Sequence, residues 1–422
     1  MNLFIFSNFF PYKKAEAFLL NEFEYTKKEA SSIYLISLYG KHEESLIKEE
    51  SNLKLLQPII NNSSSKIFLL FKGIFNLAPV NFHINEFIKT SILLSPQKLY
   101  YWFISLFISR AALSSDAYKQ VVNLVNASKN PILYFYWGDN LAWTIPYLKK
   151  EIKNKDLKII IRLHGSDLYE NLKHNYAPLR SAIFSAVDTI VPISEHGYNY
   201  IFNNYPKFSS KVFLSRLGVF DNGLNNINNI KNVSKEFTIV TVSNVVALKR
   251  LNLLFDALQK TKSKITWHHF GDGVLMNDLN NAINNKRQGL KVILHGYVSN
   301  QSLINFYQNQ HVDLFVNVSS SEGLPVSIME ALSFGIPVIA TDVGGTSELV
   351  SDKVGELISS NFSTESLGKS IEKVLNLNSE ELLLLRSNAR SIFELKVNAK
   401  INYLLFYKYL LLVNRVRLIN LP

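Results

Sequence analysis

Short runs of apolar residues, mostly β-branched or aromatic, recur along the chain, each followed by a longer stretch of mixed character. A first series covers 3–6, 33–37, 132–136, 158–163, 189–193 and 212–215. A second covers 237–242, 265–270, 292–294, 313–318, 337–340 and 355–358. Strands that are apolar on both faces need cover on both faces, and intervening helices supply it, which is the pattern of parallel sheets. Seen twice, it predicts an α/β chain with two doubly wound domains. Between the series, 221–236 reads DNGLNNINNIKNVSKE, rich in Asn and without a hydrophobic period, and is expected to be a linker. The predicted domains are therefore 1–220 and 237–398, with 399–422 a C-terminal helix returning to the first domain.

The stretch 67–113 is long for one strand-to-helix connection and predicts extra helices in the first domain. Its most apolar part, 99–113, is interrupted by Arg110 and falls short of the ~20 residues that span a bilayer. Two readings stay open for it, a buried or interfacial helix and a helix touching a membrane. The aromatic cluster from Tyr100 to Phe103 suits a headgroup region. The basic, apolar stretch 400–417 is open to the same pair of readings, docking on the other domain or lying on a membrane. The N-terminal MNLFIF has neither a basic start nor a cleavage site, so a first strand is expected rather than a signal peptide.

Composition removes several classes. With 422 residues and 47% hydrophobic positions the chain can bury a large core, which excludes disorder. It has no cysteine, so a disulfide framework, a thiolate metal site and a cysteine nucleophile are excluded. The net charge of +11 points to an anionic partner: nucleic acid, anionic lipid or a phosphorylated small molecule.

The densest chemistry lies in 319–348, SSSEGLPVSIMEALSFGIPVIATDVGGTSE. A strand ends in small hydroxyl residues, Glu322 and Gly323 make a turn, and a helix is expected over about 325–334, ending at Gly335. Its first turn would offer the N–H groups of Val326, Ser327 and Ile328 to an anion such as a diphosphate. Gly323 would let that anion approach the backbone closely. Glu322 and Glu330 are eight positions apart, ~12 Å along a helix. That exceeds the roughly 5–9.5 Å of a glycoside-cleaving carboxylate pair. They read instead as two acceptors for hydroxyls at the ends of an extended phosphate ligand. Alone, they read equally as a solvated glutamate and a helix-capping one.

The order of residues around them is more specific. Glu322-x7-Glu330, Ala331-Leu332, Gly335, Pro337-Val338-Ile339-Ala340, then Gly344-Gly345 and Glu348 resemble the signature of the family 4 glycosyltransferases, which have the GT-B fold. Other segments fall in the family's order. Thr241–Leu251 of the chain, TVSNVVALKRL, places Lys249 where the family has a lysine on the donor diphosphate. The Gly271-Asp272-Gly273 turn matches a turn near the donor, and Arg162-Leu163-His164-Gly165-Ser166-Asp167 matches an HG-S/T-D element. Where relatives often carry an arginine five positions before the lysine, this chain has Asn244, and Arg250 or a residue of the first domain would replace it. The family's first loop often carries a Gly-Gly pair near the phosphates. Here it reads FSNFFPYKKAEAF, with Lys13, Lys14 and Glu16 and no glycine, so contact with the diphosphate or with the acceptor stays open.

The resemblance implies two Rossmann-like domains facing across a cleft and a retaining, metal-independent transfer of a hexose-type sugar. His164 and Glu322 are the expected catalytic residues. Donor binding is expected from Asn244, Lys249, Arg250, Gly271 and Gly273, and from the helix start at Glu322, Gly323, Leu324, Pro325 and Val326, with Glu330 on the ribose. The expected donor is a UDP- or GDP-sugar, and no metal or other cofactor is expected; no D-x-D or metal-ligand histidine spacing occurs. The branch resembled builds surface polysaccharide such as capsule, O-antigen or exopolysaccharide. A saccharide or lipid-linked acceptor, an anionic membrane surface and a place on the cytoplasmic side of the membrane are expected accordingly. The alternative is a catalytically silent nucleotide-sugar-binding paralogue that scaffolds such an assembly. No nucleic-acid module is recognised.

Overall fold

The computed structural model describes residues 1–12, 16–41, 45–61, 80–89, 92–224 and 236–415. The chain divides into two compact units, Met1–Ser215 with Tyr403–Pro422, and Arg216–Asn402.

In the first unit, β1 (Asn2–Ser7), β2 (Ser32–Ser37), β3 (Leu53–Leu55), β4 (Pro131–Phe135), β5 (Lys158–Leu163) and β6 (Thr189–Pro192) form one sheet in the order β3-β2-β1-β4-β5-β6. Every pairing is parallel. Both faces are covered, which explains the unbroken apolar runs. Phe4 and Phe6 of β1 enter one core cluster, while Leu3 and Ile5 enter the other. The second cluster also takes in Phe406, Tyr407 and Leu410 of the C-terminal helix Ala399–Arg415.

The second unit repeats the plan. Strands β7 (Glu236–Val242), β8 (Lys264–Phe270), β9 (Leu290–Leu294), β10 (Leu314–Asn317), β11 (Val338–Thr341) and β12 (Gly355–Ile358) lie parallel in the order β9-β8-β7-β10-β11-β12. Both sheets are thus doubly wound, with the strand order reversing between β1 and β4 and between β7 and β10. Ligands of such sheets bind at the carboxyl ends of the strands at that reversal.

Extra helices follow β3, among them Asn81–Lys89 and Pro96–Leu113. Ser95 caps the latter by accepting from Lys98 N. It buries Trp102, Ile108 and Leu113 and leaves Tyr100 and Phe103 exposed. Among the described residues, no helix is long and apolar enough to cross a membrane. Residues 212–215 are extended beside β6 but form no strand: two backbone bonds join them, Phe213 N to Ile190 O and Ser215 N to Pro192 O. Most of the expected linker, 225–235, lies outside the described residues.

Candidate functional site

In the second unit the reversal of strand order brings together the loops after β7 and β10. The loop after β10 is fixed from several sides. Ser319 N donates to Asn317 Oδ1 (3.0 Å), Thr341 Oγ1 donates to Ser319 O (2.5 Å), and Ser320 N donates to Leu248 O (2.9 Å). The Gly344-Gly345 turn presses on it as well. Gly345 N donates to Gly323 O at 2.8 Å, and a Cβ on Gly344 (φ +54°) would stand 1.8 Å from the Glu322 carbonyl oxygen. Only glycine fits there, for reasons of both space and conformation.

The loop delivers Glu322 to Lys249. Lys249 Nζ donates to Glu322 Oε1 at 2.6 Å, and Asn317 Nδ2 donates to the same oxygen at 3.2 Å. Both charged side chains are largely sheltered, at 20% and 12% exposure. The helix that follows spans Val326–Ser333, with Pro325 just before it and Gly335 (φ +65°) closing it. Ile328 N already donates to Pro325 O (3.1 Å), so the first-turn donors are narrowed to Val326 and Ser327. Leu324 is buried, and its side chain serves packing. Glu330 sits in the second turn, buried, and accepts from Asn300 Nδ2 at 2.6 Å. Burial lifts its carboxyl to about 7, against the Asn300 bond, which lowers it.

Gly271 and Gly273 belong to the same end of the sheet. A Cβ on Gly271 (φ +135°) would lie 1.9 Å from Ser243 O, and one on Gly273 2.4 Å from Val245 O. These glycines let the turn after β8 lie against the loop that carries the exposed Asn244. Arg250 has a structural task at this loop. Its backbone is left-handed (φ +50°), and its guanidinium donates to three carbonyls: Val318 (2.6 Å), Ser319 (2.9 Å) and Ser360 (2.7 Å). Through these three bonds it braces the Glu322 loop.

In the first unit, His164 stands at the carboxyl end of β5. Its N–H donates to Asp167 Oδ1 (2.5 Å), and Asp167 Oδ2 accepts from Gly138 N (2.6 Å). The imidazole is buried beside Trp137, Tyr136 and Phe18, with ring centroids 4.3, 5.1 and 5.6 Å away. Neither ring nitrogen has a hydrogen-bond partner among the described residues; Nδ1 is 3.7 Å from Asp167 Oδ2. In the glycine-free first loop, Glu16 accepts from the N–H groups of Asn8 (2.9 Å) and Phe10 (2.6 Å) and from Trp137 Nε1 (2.8 Å). The backbone donors that would meet a phosphate there are engaged by a carboxylate of the chain itself. Lys13 and Lys14 lie outside the described residues.

Sequence reasoning missed Asn300 and Asn317 as partners of the two glutamates. Asn317 carries a signal, an amide ending an apolar strand; Asn300 carries none. It also missed the pairing of His268, on β8, with His295, just past β9, whose ring nitrogens meet at 2.9 Å.

Comparison with known proteins bears on the fold and on the second unit. Residues 225–392 match the family described as glycosyl transferases group 1. The O-antigen biosynthesis glycosyltransferase WbnH of Escherichia coli is 25% identical over 334 residues, 78% of this chain and 83% of that protein. The putative colanic acid biosynthesis glycosyltransferase WcaL of the same species is 26% identical over 255 residues, 58% and 62% of the two chains. Among solved structures, HepE of Anabaena, in complex with UDP and glucose, superposes with a TM-score of 0.65 at 14% identity over 97% of this chain and 99% of its own. The chain therefore carries a glycosyltransferase group 1 domain, and its two parallel-sheet units have the GT-B fold.

Proposed function

We propose that the chain is a retaining family 4 glycosyltransferase that moves a hexose-type sugar from a UDP- or GDP-sugar to a saccharide or lipid-linked saccharide in surface-polysaccharide synthesis. The observation that carries this reading is the Lys249–Glu322 pair beside the start of the helix Val326–Ser333, at the reversal of strand order, with Glu330 buried one turn further on. The relatives named for O-antigen and colanic acid synthesis, and a neighbour solved with UDP and glucose, support the choice of substrates.

In this reading Lys249 neutralises the departing diphosphate as a compact point charge. The N–H groups of Val326 and Ser327 add the positive end of the helix. Glu330 accepts from ribose hydroxyls and Glu322 from those of the sugar. His164 acts near the reacting carbon. Fixed donors at the leaving group lower the barrier without reorganising during the step. The reaction is expected to need no metal, so turnover should persist undiminished in excess chelator. Calorimetry with UDP- and GDP-sugars tests the donor site. Glu330→Ala should weaken donor binding about tenfold or more, as loss of a charged hydrogen bond does. Unchanged affinity would overturn the assignment. The acceptor side is proposed to work on the cytoplasmic face of an anionic membrane.

A further inference from the structure

A cavity of about 550 Å³ opens in the first unit between the helix Asn81–Lys89 and the segment 170–185. Its size falls within the roughly 300–1,000 Å³ of small-molecule sites. Its wall carries two carboxylates, Glu86 and Glu170, and two cations, Lys98 and Arg180. These charges balance, which disfavours a phosphate as much as a bare cation and suits a neutral ligand rich in hydroxyls. Planar polar groups on such a wall pair with hydroxyls in the plane of a pyranose.

The polar groups are held in place. Tyr176 Oη donates to Glu86 Oε2 (2.9 Å), Leu179 N donates to Glu86 Oε1 (2.6 Å), and Tyr205 Oη donates to Glu170. Leu179 is held at φ +57°, a costly conformation for a branched side chain, while it makes that bond. Arg180 is 4% exposed, and its Nη1 has no hydrogen-bond partner among the described residues. Arg180 Nη2 donates to the carbonyl of Asp167, the residue whose carboxylate accepts from His164 N and Gly138 N. The cavity wall and the His164 turn are therefore one hydrogen-bonded piece.

We propose that this cavity is a saccharide subsite that takes a neutral pyranose of the acceptor, an inference that rests on the glycosyltransferase reading above.

Saturation-transfer NMR on the full chain tests it, using methyl glycosides of glucose, galactose and N-acetylglucosamine, with UDP and GDP binding measured in parallel. Glu170→Gln removes one charged acceptor. Ser181→Trp fills the cavity from an exposed lining position. At least one glycoside should bind the parent, about tenfold more weakly to Glu170→Gln and not at all to Ser181→Trp, with UDP binding unchanged in both. No glycoside binding in a chain that binds UDP overturns the subsite and leaves the donor reading standing. So does a glycoside that binds Ser181→Trp as tightly as the parent. Glycoside binding that is lost in Ser181→Trp, in a chain that binds neither UDP nor GDP, supports the subsite and overturns the donor reading instead.

Discussion

Glu330 is a carboxyl that folding has taken out of water. Burial raises it from 4.5 to about 7, and the Asn300 amide recovers only part of that. Between those values the folded chain holds a proton that the unfolded chain has released. Stability therefore falls as pH rises through this window and levels off above 7, by up to about 3 kcal/mol in all. Glu330→Gln should remove this dependence. Melting temperatures of parent and variant should run parallel above pH 7, and the parent should gain on the variant as pH drops toward 4.5. A constant difference across the window would show that Glu330 is not desolvated. The glutamates are legible from the spacing within 319–348. Asn300 is not, because its helix meets Glu330 only through packing, and an amide leaves no pattern in the sequence. The bracing task of Arg250 is hidden for a related reason: next to Lys249 it reads as a phosphate cation, and no pattern in the sequence shows that its guanidinium also meets three carbonyls.

Strands are the most legible elements, because a parallel strand covered on both faces must be apolar throughout. Short edge pieces escape, as β3 does with only Leu53-Lys54-Leu55. Residues 212–215 show the opposite error, an apolar run that reads as a strand. Phe213 N bonds Ile190 O, but the return bond of a parallel ladder would come from the N–H of residue 192, which is proline. The C-terminal helix is legible as a helix, but the buried polar groups it meets are not. Its Tyr407 reaches a buried polar cluster in which Arg162 Nη1 stands 3.2 Å from Glu22 Oε2, both fully buried. Tyr134 Oη donates to Glu22 (2.9 Å), Arg162 Nη2 donates to Ser215 (3.1 Å), and Tyr407 shares a hydrogen bond with Thr26. Burial raises the Glu22 carboxyl, and Arg162 is the first of the groups that oppose it. Arg162→Met should lower stability by about 3–5 kcal/mol in urea unfolding, since it strands a buried carboxyl. Adding Glu22→Gln should restore much of the loss. A single variant as stable as the parent would mean that the cluster does not hold the C-terminal helix to the sheet.

The net charge of +11 and one apolar surface together bear on the proposed membrane association. Single exposed apolar residues are ordinary; six carried on three elements that share one small core call for more account. Ile84 and Ile88 lie on the helix Asn81–Lys89, Leu93 and Leu94 on the turn Ile92–Leu94, and Tyr100 and Phe103 on the helix Pro96–Leu113; all six are exposed, Leu94 at 84% and Ile88 at 75%. The three elements share a small core around Ile92 and Trp102, so these side chains are carried on packed structure. Neither helix spans a bilayer, which leaves shallow insertion at the headgroups as the contact such a face can make. Insertion of apolar side chains would be insensitive to salt, whereas attraction of a basic chain to anionic lipid is screened by it. The chain should therefore sediment with phosphatidylglycerol vesicles and much less with phosphatidylcholine vesicles, and added salt should release part of it. Leu94→Glu with Tyr100→Glu should release most of the remainder while leaving UDP binding intact. Equal binding to both vesicle types, or binding that the double variant does not reduce, would remove this face from the membrane reading and leave the charge to the diphosphate alone.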